Sequence, residues 1–332
     1  MHAAWYEKNG AARDVLQTGE LPDPVPAPGE VRVRLVTSGV NPSDVKSRQA
    51  RPLTVPRIVP HSDGAGIIDA VGAGVPQGRI GARVWVWNGQ WKRALGTAAT
   101  MIALPSQQAV TLPDNTGFDA GACLGIPVLT AFHALQLLEQ QIGSLAGKTI
   151  LVIGASSAVG HYVTQIATRD LGATVIGTVG SVAKAEHARR AGAASTIDYK
   201  SADVAAEVLR LTEGRGVAAI VDMDLSSTIA LVPTGALADH GVILCYGSNV
   251  SDKVALPFRD MLFRSLALKF FVAYELTAQE RTVACAGINR LLQAGMLDHA
   301  IGQRFPLDQV VAAHEAVEGA SGKIGNVILD VG

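Results

Sequence analysis

Residues 149–160 of this 332-residue chain read TILVIGASSAVG, and they limit what it can fold into more than any other stretch. A short apolar run, 149–153, passes through small residues into a helix that begins near Val159. A strand, tight turn and helix in that order bring several backbone N–H groups and a helix N-terminus to one point, which suits a phosphate. Small side chains are required there, because a larger one would hold the phosphate away from the backbone. Gly154 and Gly160 fit a G-x-G-x-x-G pattern, whereas Ser157 and Ala158 stand where glycine is common. That departure leaves the tightness of the turn open.

The next strand is expected at 173–178. A carboxylate about 20 residues past the glycine turn is what holds a ribose 2′-hydroxyl in an NAD site. Here 178–184 reads TVGSVAK, with no acid but with Ser181 and Lys184. An acid would repel a 2′-phosphate, while a hydroxyl and an ammonium group would receive it. Arg189 and Arg190 follow on the same helix. This charge pattern favours NADP(H) over NAD(H), the plainer alternative for Lys184 being a solvated helix lysine.

From 119 onward, strands and helices alternate. Helix is expected over 121–139, broken or kinked at Pro127. Then come helix 161–171, strand 174–178, helix 182–191, strand 196–199, helix 202–212, strand 217–222, a helix near 228–238 and strand 242–246, many of the helices stopped by a glycine. Alternating units of this kind imply α/β architecture, a doubly wound parallel sheet. The first third differs. Proline-rich 22–28 leads into strand 31–36 (VRVRLV), whose period of two marks a half-buried strand, and further strands are expected at 64–71, 83–87 and 97–104. The last part reads as strand 267–274, amphipathic helix 278–294, helix 307–318 and strand 327–331, elements expected to rejoin the β-rich first part.

A formal net charge of −1 carries no footprint for nucleic acid or an anionic membrane surface. No apolar run approaches the ~20 residues of a membrane span, and residues 1–10 lack the apolar core of a signal peptide. Cys123, Cys245 and Cys285 are scattered, which reads as free thiols in a reducing, cytoplasmic compartment.

Several segments together resemble the medium-chain dehydrogenase/reductase superfamily, in its zinc-free quinone oxidoreductase (zeta-crystallin-like) branch. They are GEVRVR at 29–34, GVNPSD at 39–44, SDGAG at 62–66, GTAA at 96–99, GIP at 125–127 with Thr130-Ala131, the 154–160 turn, 241–247 and Gly322-Lys323. The resemblance covers essentially the whole chain. It implies a GroES-like β-rich catalytic domain, 1–124 with 266–332, enclosing a Rossmann NADP(H)-binding domain, 125–265. Zinc-dependent relatives carry a cysteine within the segment that here reads Asn41-Pro42-Ser43-Asp44, and a His-Glu pair where this chain has Ser62-Asp63. Both are absent, so no catalytic metal is expected. His61, one position away, reads as a structural or surface residue.

Without a Lewis acid, a quinone is the readier hydride acceptor, and the protein's task becomes placement and water exclusion in a cleft between the domains. The resemblance implies that Asn41 bonds the nicotinamide ribose or the acceptor oxygen and that Thr130 lies near the nicotinamide. Lys46 falls where some relatives have a substrate-facing tyrosine; it could steady an oxyanion or be a surface lysine. Asp44 reads as a capping carboxylate rather than an acid or base. Trp85 and Trp87 share a strand face, which fits core packing or, for Trp87, an aromatic wall for a planar acceptor; Trp91 falls in a loop. For the cofactor, the implied contacts are Ser156, Ala158 and Val159 at the turn, Ser181, Lys184 and Tyr199 at the adenosine phosphate, and Gly247, Ser248, Phe271, Val272, Lys323 and Asn326 elsewhere. NADPH-dependent reduction of a quinone is the first functional expectation. Reduction of an activated C=C bond in an enone, alkenal or acrylate is the second. An NADPH-binding structural or sensing protein with negligible turnover is the third. Relatives dimerise through edge strands of the Rossmann sheet, here 242–246 or 267–274, so a homodimer is expected.

Overall fold

The computed structural model describes residues 1–247, 249, 253–319 and 324–332. The chain divides into two compact units, Met1–Pro127 with His299–Gly332, and Val128–Asp298.

In the first unit, β1 (His2–Trp5) and β2 (Gln17–Glu20) pair with each other, and a bent sheet is built from the rest. Its strands are β3 (Glu30–Val40), β4 (Asp63–Val71), β5 (Arg83–Val86), β6 (Met101–Pro105) and β7 (Ala109–Thr111). The period of two read from 31–36 holds: Val31, Val33 and Leu35 are fully buried, while Arg32 turns the other way and bonds Asp69 at 2.8 Å. Register shifts at Arg32/Val33 and Leu35/Thr37 bend β3.

The second unit carries β8 (Thr149–Val152), β9 (Thr174–Val179), β10 (Ser195–Asp198), β11 (Val217–Asp222), β12 (Leu237–Cys245) and β13 (Ala267–Phe270). Among the described residues they form one parallel sheet in the order β10-β9-β8-β11-β12-β13. This is the doubly wound dinucleotide-binding order. Its central strands are buried on both sides, as Ile150, Leu151, Val152, Ile220, Val221, Ile243 and Leu244 show, because helices cover both faces. The remaining strands, β14 (Ile301–Pro306) and β15 (Asn326–Asp330), return to the sheet of the first unit, where β15 pairs β3.

Three expectations change. Pro127 does more than kink a helix: a single turn, Phe118–Gly121, a wide turn, Leu124–Val128, and helix Leu129–Ile142 follow in succession. The helix read near 228–238 is a turn, Leu225–Thr228, then a tighter 3₁₀ segment, Ile229–Thr234, and β12 already begins at Leu237. The second domain boundary lies at 298/299 rather than 265/266. β13 pairs β12 over four residues. Helix Ala278–Gln293 is tied to the same unit by Arg290, which bonds Asp170 at 3.0 and 2.6 Å, and Asp298 N–H donates to Gln165 at 2.7 Å.

His61 is an interior residue of the first unit. Its Nδ1 lies 2.9 Å from Ser38 Oγ and its Nε2 lies 2.9 Å from Nε2 of His314, on helix Val310–Glu318. Two neutral imidazoles share one proton in this way, one ring donating and the other accepting. Burial pushes His61 down to about 3 and His314 well below the usual range. As pH falls below about 6.5, the unfolded chain therefore takes up these protons first, and the stability held by the pair is lost toward the lower folded values. Asp44 has the opposite sign: burial raises it to about 7, so over the same acid window the folded state holds the extra proton. A difference measurement separates them. The unfolding free energy of wild type minus that of His61→Asn/His314→Gln, from urea titrations, should shrink between about pH 6.5 and 4.5 by up to about 1.4 kcal/mol per pH unit for each histidine; a difference independent of pH would refute buried neutral imidazoles.

Candidate functional site

Within the second unit, the chain leaves β8 and turns at Gly154, whose φ is +67°. A Cβ on Gly160 would lie 2.2 Å from the Gly154 carbonyl oxygen, so the helix starts in direct backbone contact with the turn. Ser157 is the N-cap of helix Ala158–Arg169, and its Oγ accepts the Gly160 N–H at 3.0 Å. Serine in a customary glycine position thus caps the helix without opening the turn. Tyr246, half-buried just past the end of β12, lies within electrostatic reach of the same Ser157. Ser156 is buried beside the turn, and Ala158 and Val159 are partly exposed at the first helical positions. Their amides have no intrahelical acceptor, which leaves donors at the positive end of the helix. Backbone contact of this closeness, with first-turn amides beyond it, fits a dinucleotide pyrophosphate.

At the end of β9, Ser181 caps helix Val182–Ala191, its Oγ accepting the Lys184 N–H at 3.4 Å. The position a Cβ on Gly180 would take lies 2.8 Å from the Tyr199 hydroxyl and 3.2 Å from Lys200 Cε. Tyr199 and Lys200 therefore lean over the residue that precedes Ser181. The sequence reading missed Lys200, although its place directly after Tyr199 at the end of β10 was a usable signal. Arg189 bonds Thr196 Oγ1 at 2.8 Å instead. No acid ends β9. Asp198 ends β10, where its Oδ1 accepts the Lys200 N–H at 3.0 Å.

A cavity of about 620 Å³ opens at the ends of β12 and β13. Gly247, Phe271 and Val272 line it, together with Leu225, Cys245, Tyr246, Leu268 and Phe270. Thr130 is buried at the second position of helix Leu129–Ile142 and is not among the lining residues. One turn further on, His133 meets the Phe271 ring edge-on at 5.1 Å and lies 3.8 Å from Glu280; burial lowers its pKa. It was not foreseen from the sequence. Ser248 and Lys323 lie outside the described residues.

Within the first unit, Asn41 closes β3 and is the N-cap of helix Pro42–Ala50. Its N–H donates to Asp44 Oδ2 at 2.8 Å, which is the capping role read from the sequence. Its Nδ2 donates to Asp63 Oδ2 at 2.8 Å. Lys46 is exposed on the same helix. Trp85 is wholly buried, a core residue, and Trp87 is 9% exposed. Trp91 lies under Arg51, 4.4 Å from the ring centroid, and 5.5 Å from Lys92. Asn326 Nδ2 donates to the Ala300 carbonyl at 3.2 Å, so that side chain closes its own loop. Both nitrogens of His61 already have hydrogen-bond partners, and among the described residues no group of three or more His, Cys, Asp or Glu side chains is placed to hold a metal.

Residues 27–114 match the family described as Alcohol dehydrogenase GroES-like domain, and residues 158–286 match Zinc-binding dehydrogenase. The chain is 30% identical to the 2-haloacrylate reductase of a Burkholderia species, with 99% of this chain and 98% of that protein covered. It is 29% identical to the quinone oxidoreductase of Rattus norvegicus, with 92% and 90% covered. Among solved structures, an NAD-dependent alcohol dehydrogenase superposes with a TM-score of 0.89 at 30% identity over the whole of both chains. The Escherichia coli quinone oxidoreductase complexed with NADPH superposes with a TM-score of 0.86 at 25% identity over 99% and 100%.

Gly160→Ala tests the turn: the overlap with the Gly154 carbonyl should lower the melting temperature by several degrees, as overpacking of about 1–3 kcal/mol does, and weaken dinucleotide binding, read by NADPH fluorescence, at least about tenfold. An unchanged affinity would remove the turn from the binding site. In sequence, sheet order and turn geometry alike, the chain belongs to the medium-chain dehydrogenase/reductase superfamily, in its quinone oxidoreductase branch.

Proposed function

We propose that this protein is an NADPH-dependent quinone oxidoreductase that works without a metal. The observation that carries the cofactor choice is the end of β9, where Gly180 is followed by Ser181 and Lys184 and covered by Tyr199 and Lys200. The Tyr199 hydroxyl and the Lys200 side chain over Gly180, with Ser181 and Lys184 opening the next helix, suit a 2′-phosphate, and the position that would hold a ribose hydroxyl by a carboxylate has none. The pyrophosphate is assigned to the amides of Ala158 and Val159, with Ser156 beside them. When bound, the nicotinamide supplies a hydride. Gly247, Phe271 and Val272 offer an apolar lining suited to a flat, weakly polar ring. Asn41, held at the end of β3, is the polar group we assign to the nicotinamide ribose or the acceptor oxygen. Thr130 is kept as a nicotinamide contact, Trp87 and Lys46 as acceptor contacts, and Asn326 as a weaker cofactor contact.

The metal-free reading rests on residue types: zinc-dependent relatives carry a cysteine within the segment that here reads Asn41-Pro42-Ser43-Asp44, and a His-Glu pair where this chain has Ser62-Asp63. A quinone needs little polarisation, because its reduced form is aromatic. Likeness to a 2-haloacrylate reductase favours a second reading, reduction of an activated C=C bond. No helix among the described residues is long and apolar enough to cross a membrane, and the free thiols Cys123, Cys245 and Cys285 support a cytoplasmic setting.

The assay is loss of nicotinamide absorbance with NADPH and NADH in parallel, using a benzoquinone, an enone and a 2-haloacrylate, with and without chelator. Rapid NADPH oxidation by the quinone, indifferent to chelator, is expected. Turnover confined to the C=C acceptors would shift the assignment to the second reading. Chelator-sensitive turnover would refute the metal-free site, and tight NADPH binding without turnover would refute an enzyme.

A homodimer is part of this proposal. Of the two strands considered from sequence, β12 is paired on both sides, whereas β13 ends the sheet. Phe270 on β13, and Phe258 and Phe263 on the helix that precedes it, are 58%, 72% and 71% exposed, apolar side chains that a second copy would cover. Light scattering should give a dimer for wild type and a monomer for Phe270→Glu; a monomeric wild type would refute it.

A further inference from the structure

Asp63 is the first residue of β4 and is fully buried. It faces Gly39 across the β3–β4 pairing, and a Cβ on Gly125 would lie 2.5 Å from its Oδ1. The same point lies 3.1 Å from Trp87 Cα. Among the described residues no cation pairs with the Asp63 carboxyl; burial and the nearby Asp44 raise its pKa well above the usual range, against the Asn41 side chain and the Ile126 amide. An enclosed carboxyl without a counter-charge is costly to retain for packing alone. Its hydrogen bond runs to the carboxamide of Asn41, at 2.8 Å. Asn41 is therefore gripped at two points: its backbone N–H by Asp44 and its Nδ2 by Asp63.

A carboxamide held only by its backbone could present either its oxygen or its nitrogen to a ligand. The bond to Asp63 removes that choice, because it places Nδ2 inward. We propose that Asp63 is a positioning residue for Asn41, fixing which end of the Asn41 carboxamide is offered to the nicotinamide side of the bound cofactor. This rests on the assignment of Asn41 made above and adds to it a reason for a buried acid at the start of β4. In Asp63→Asn the shape is kept while the carboxyl oxygen that accepts from Asn41 Nδ2 is replaced by part of an amide. The new amide can donate to Asn41 Oδ1 and turn the carboxamide around.

The test compares wild type, Asn41→Ala, Asp63→Asn and the double variant, reading Kd for NADPH by fluorescence, KM for NADPH, kcat and the melting temperature. Asp63→Asn is expected to raise Kd and KM roughly three- to tenfold, the worth of one hydrogen bond, with the melting temperature close to wild type. Adding it to Asn41→Ala should change nothing more, since the two act through one group. If Asn41→Ala is impaired while Asp63→Asn binds NADPH like wild type, or if the two losses simply add, the positioning role is overturned and the Asn41 assignment stands. If Asn41→Ala binds and turns over like wild type, that assignment fails and the positioning role with it. Should Asp63→Asn not fold, wild-type protein labelled with ¹⁵N-asparagine answers the same question. A side-chain amide of Asn41 that is slow to exchange and shifts on NADPH addition supports the proposal, and a rapidly exchanging, unshifted one overturns it.

Discussion

The contact between Gly160 and the carbonyl of Gly154 is the constraint on which the second unit's chemistry depends. It lets the helix begin directly above the end of β8, at the place where the strand order reverses between β9 and β11. A doubly wound sheet opens a crevice at that point, and its depth is set by how closely the first helix approaches. Ser157 fits because its hydroxyl replaces what glycine would have left open: it caps the helix through Gly160. Tyr246, directly after β12, lies beside the same serine. Tyr246 and the next residue, Gly247, also line the apolar cavity, so the turn and the cavity adjoin.

The first unit solves a different problem, that of polar groups enclosed in a bent sheet. Asn41, Asp44 and Asp63 hydrogen-bond one another, as do Ser38, Thr97, His61 and His314. Both sets sit where β3 ends and β4 begins. Networks of this kind are stable only when their members stay in register, so they rigidify the strands that carry them. The Ser38 hydroxyl contacts both His61 and Thr97, which links the imidazole pair on one side to the segment following the 88–95 loop on the other.

Features set by neighbours in sequence were legible, and features set by neighbours in space were not. Helix Val182–Ala191 and strand Val217–Asp222 fall where their patterns put them, because capping serine, terminal glycine and a β-branched run are local signals. Asp44 as a capping carboxylate was legible for the same reason, although its partner Asn41, three positions earlier, was not read as such. The 3₁₀ segment Ile229–Thr234 was misread because Pro233 and Thr234 fit a helix end as well as a tighter turn. β13 was assigned to the wrong unit since its four residues say nothing about which sheet they join. Asp63 as partner of Asn41, and His314 as partner of His61, are separated by 22 and 253 positions, and no periodicity reports such pairs. Lys200 stands between these cases: its neighbour Tyr199 was named, but only the geometry over Gly180 shows that both side chains face one spot.

The residues at 41–44 and 62–63 show how one backbone can support two chemistries. In zinc-dependent members of the superfamily these segments carry a cysteine and a His-Glu pair. Here the same two segments bring Asn41, Asp44 and Asp63 together, and the group they converge on is a carboxamide. A metal would tolerate several anionic ligands because its own charge offsets them. Two carboxyls around a neutral amide have no such offset, and burial drives both pKa values upward instead. A site of that character gains nothing from polarising a carbonyl, but it holds an amide rigidly. Rigid placement is what hydride transfer to an easily reduced acceptor asks of a protein, since the reacting atoms must be brought within van der Waals contact and little charge must be stabilised. On the function proposed above, the residue types at 41–44 and 62–63 and the fixed carboxamide of Asn41 therefore serve one end.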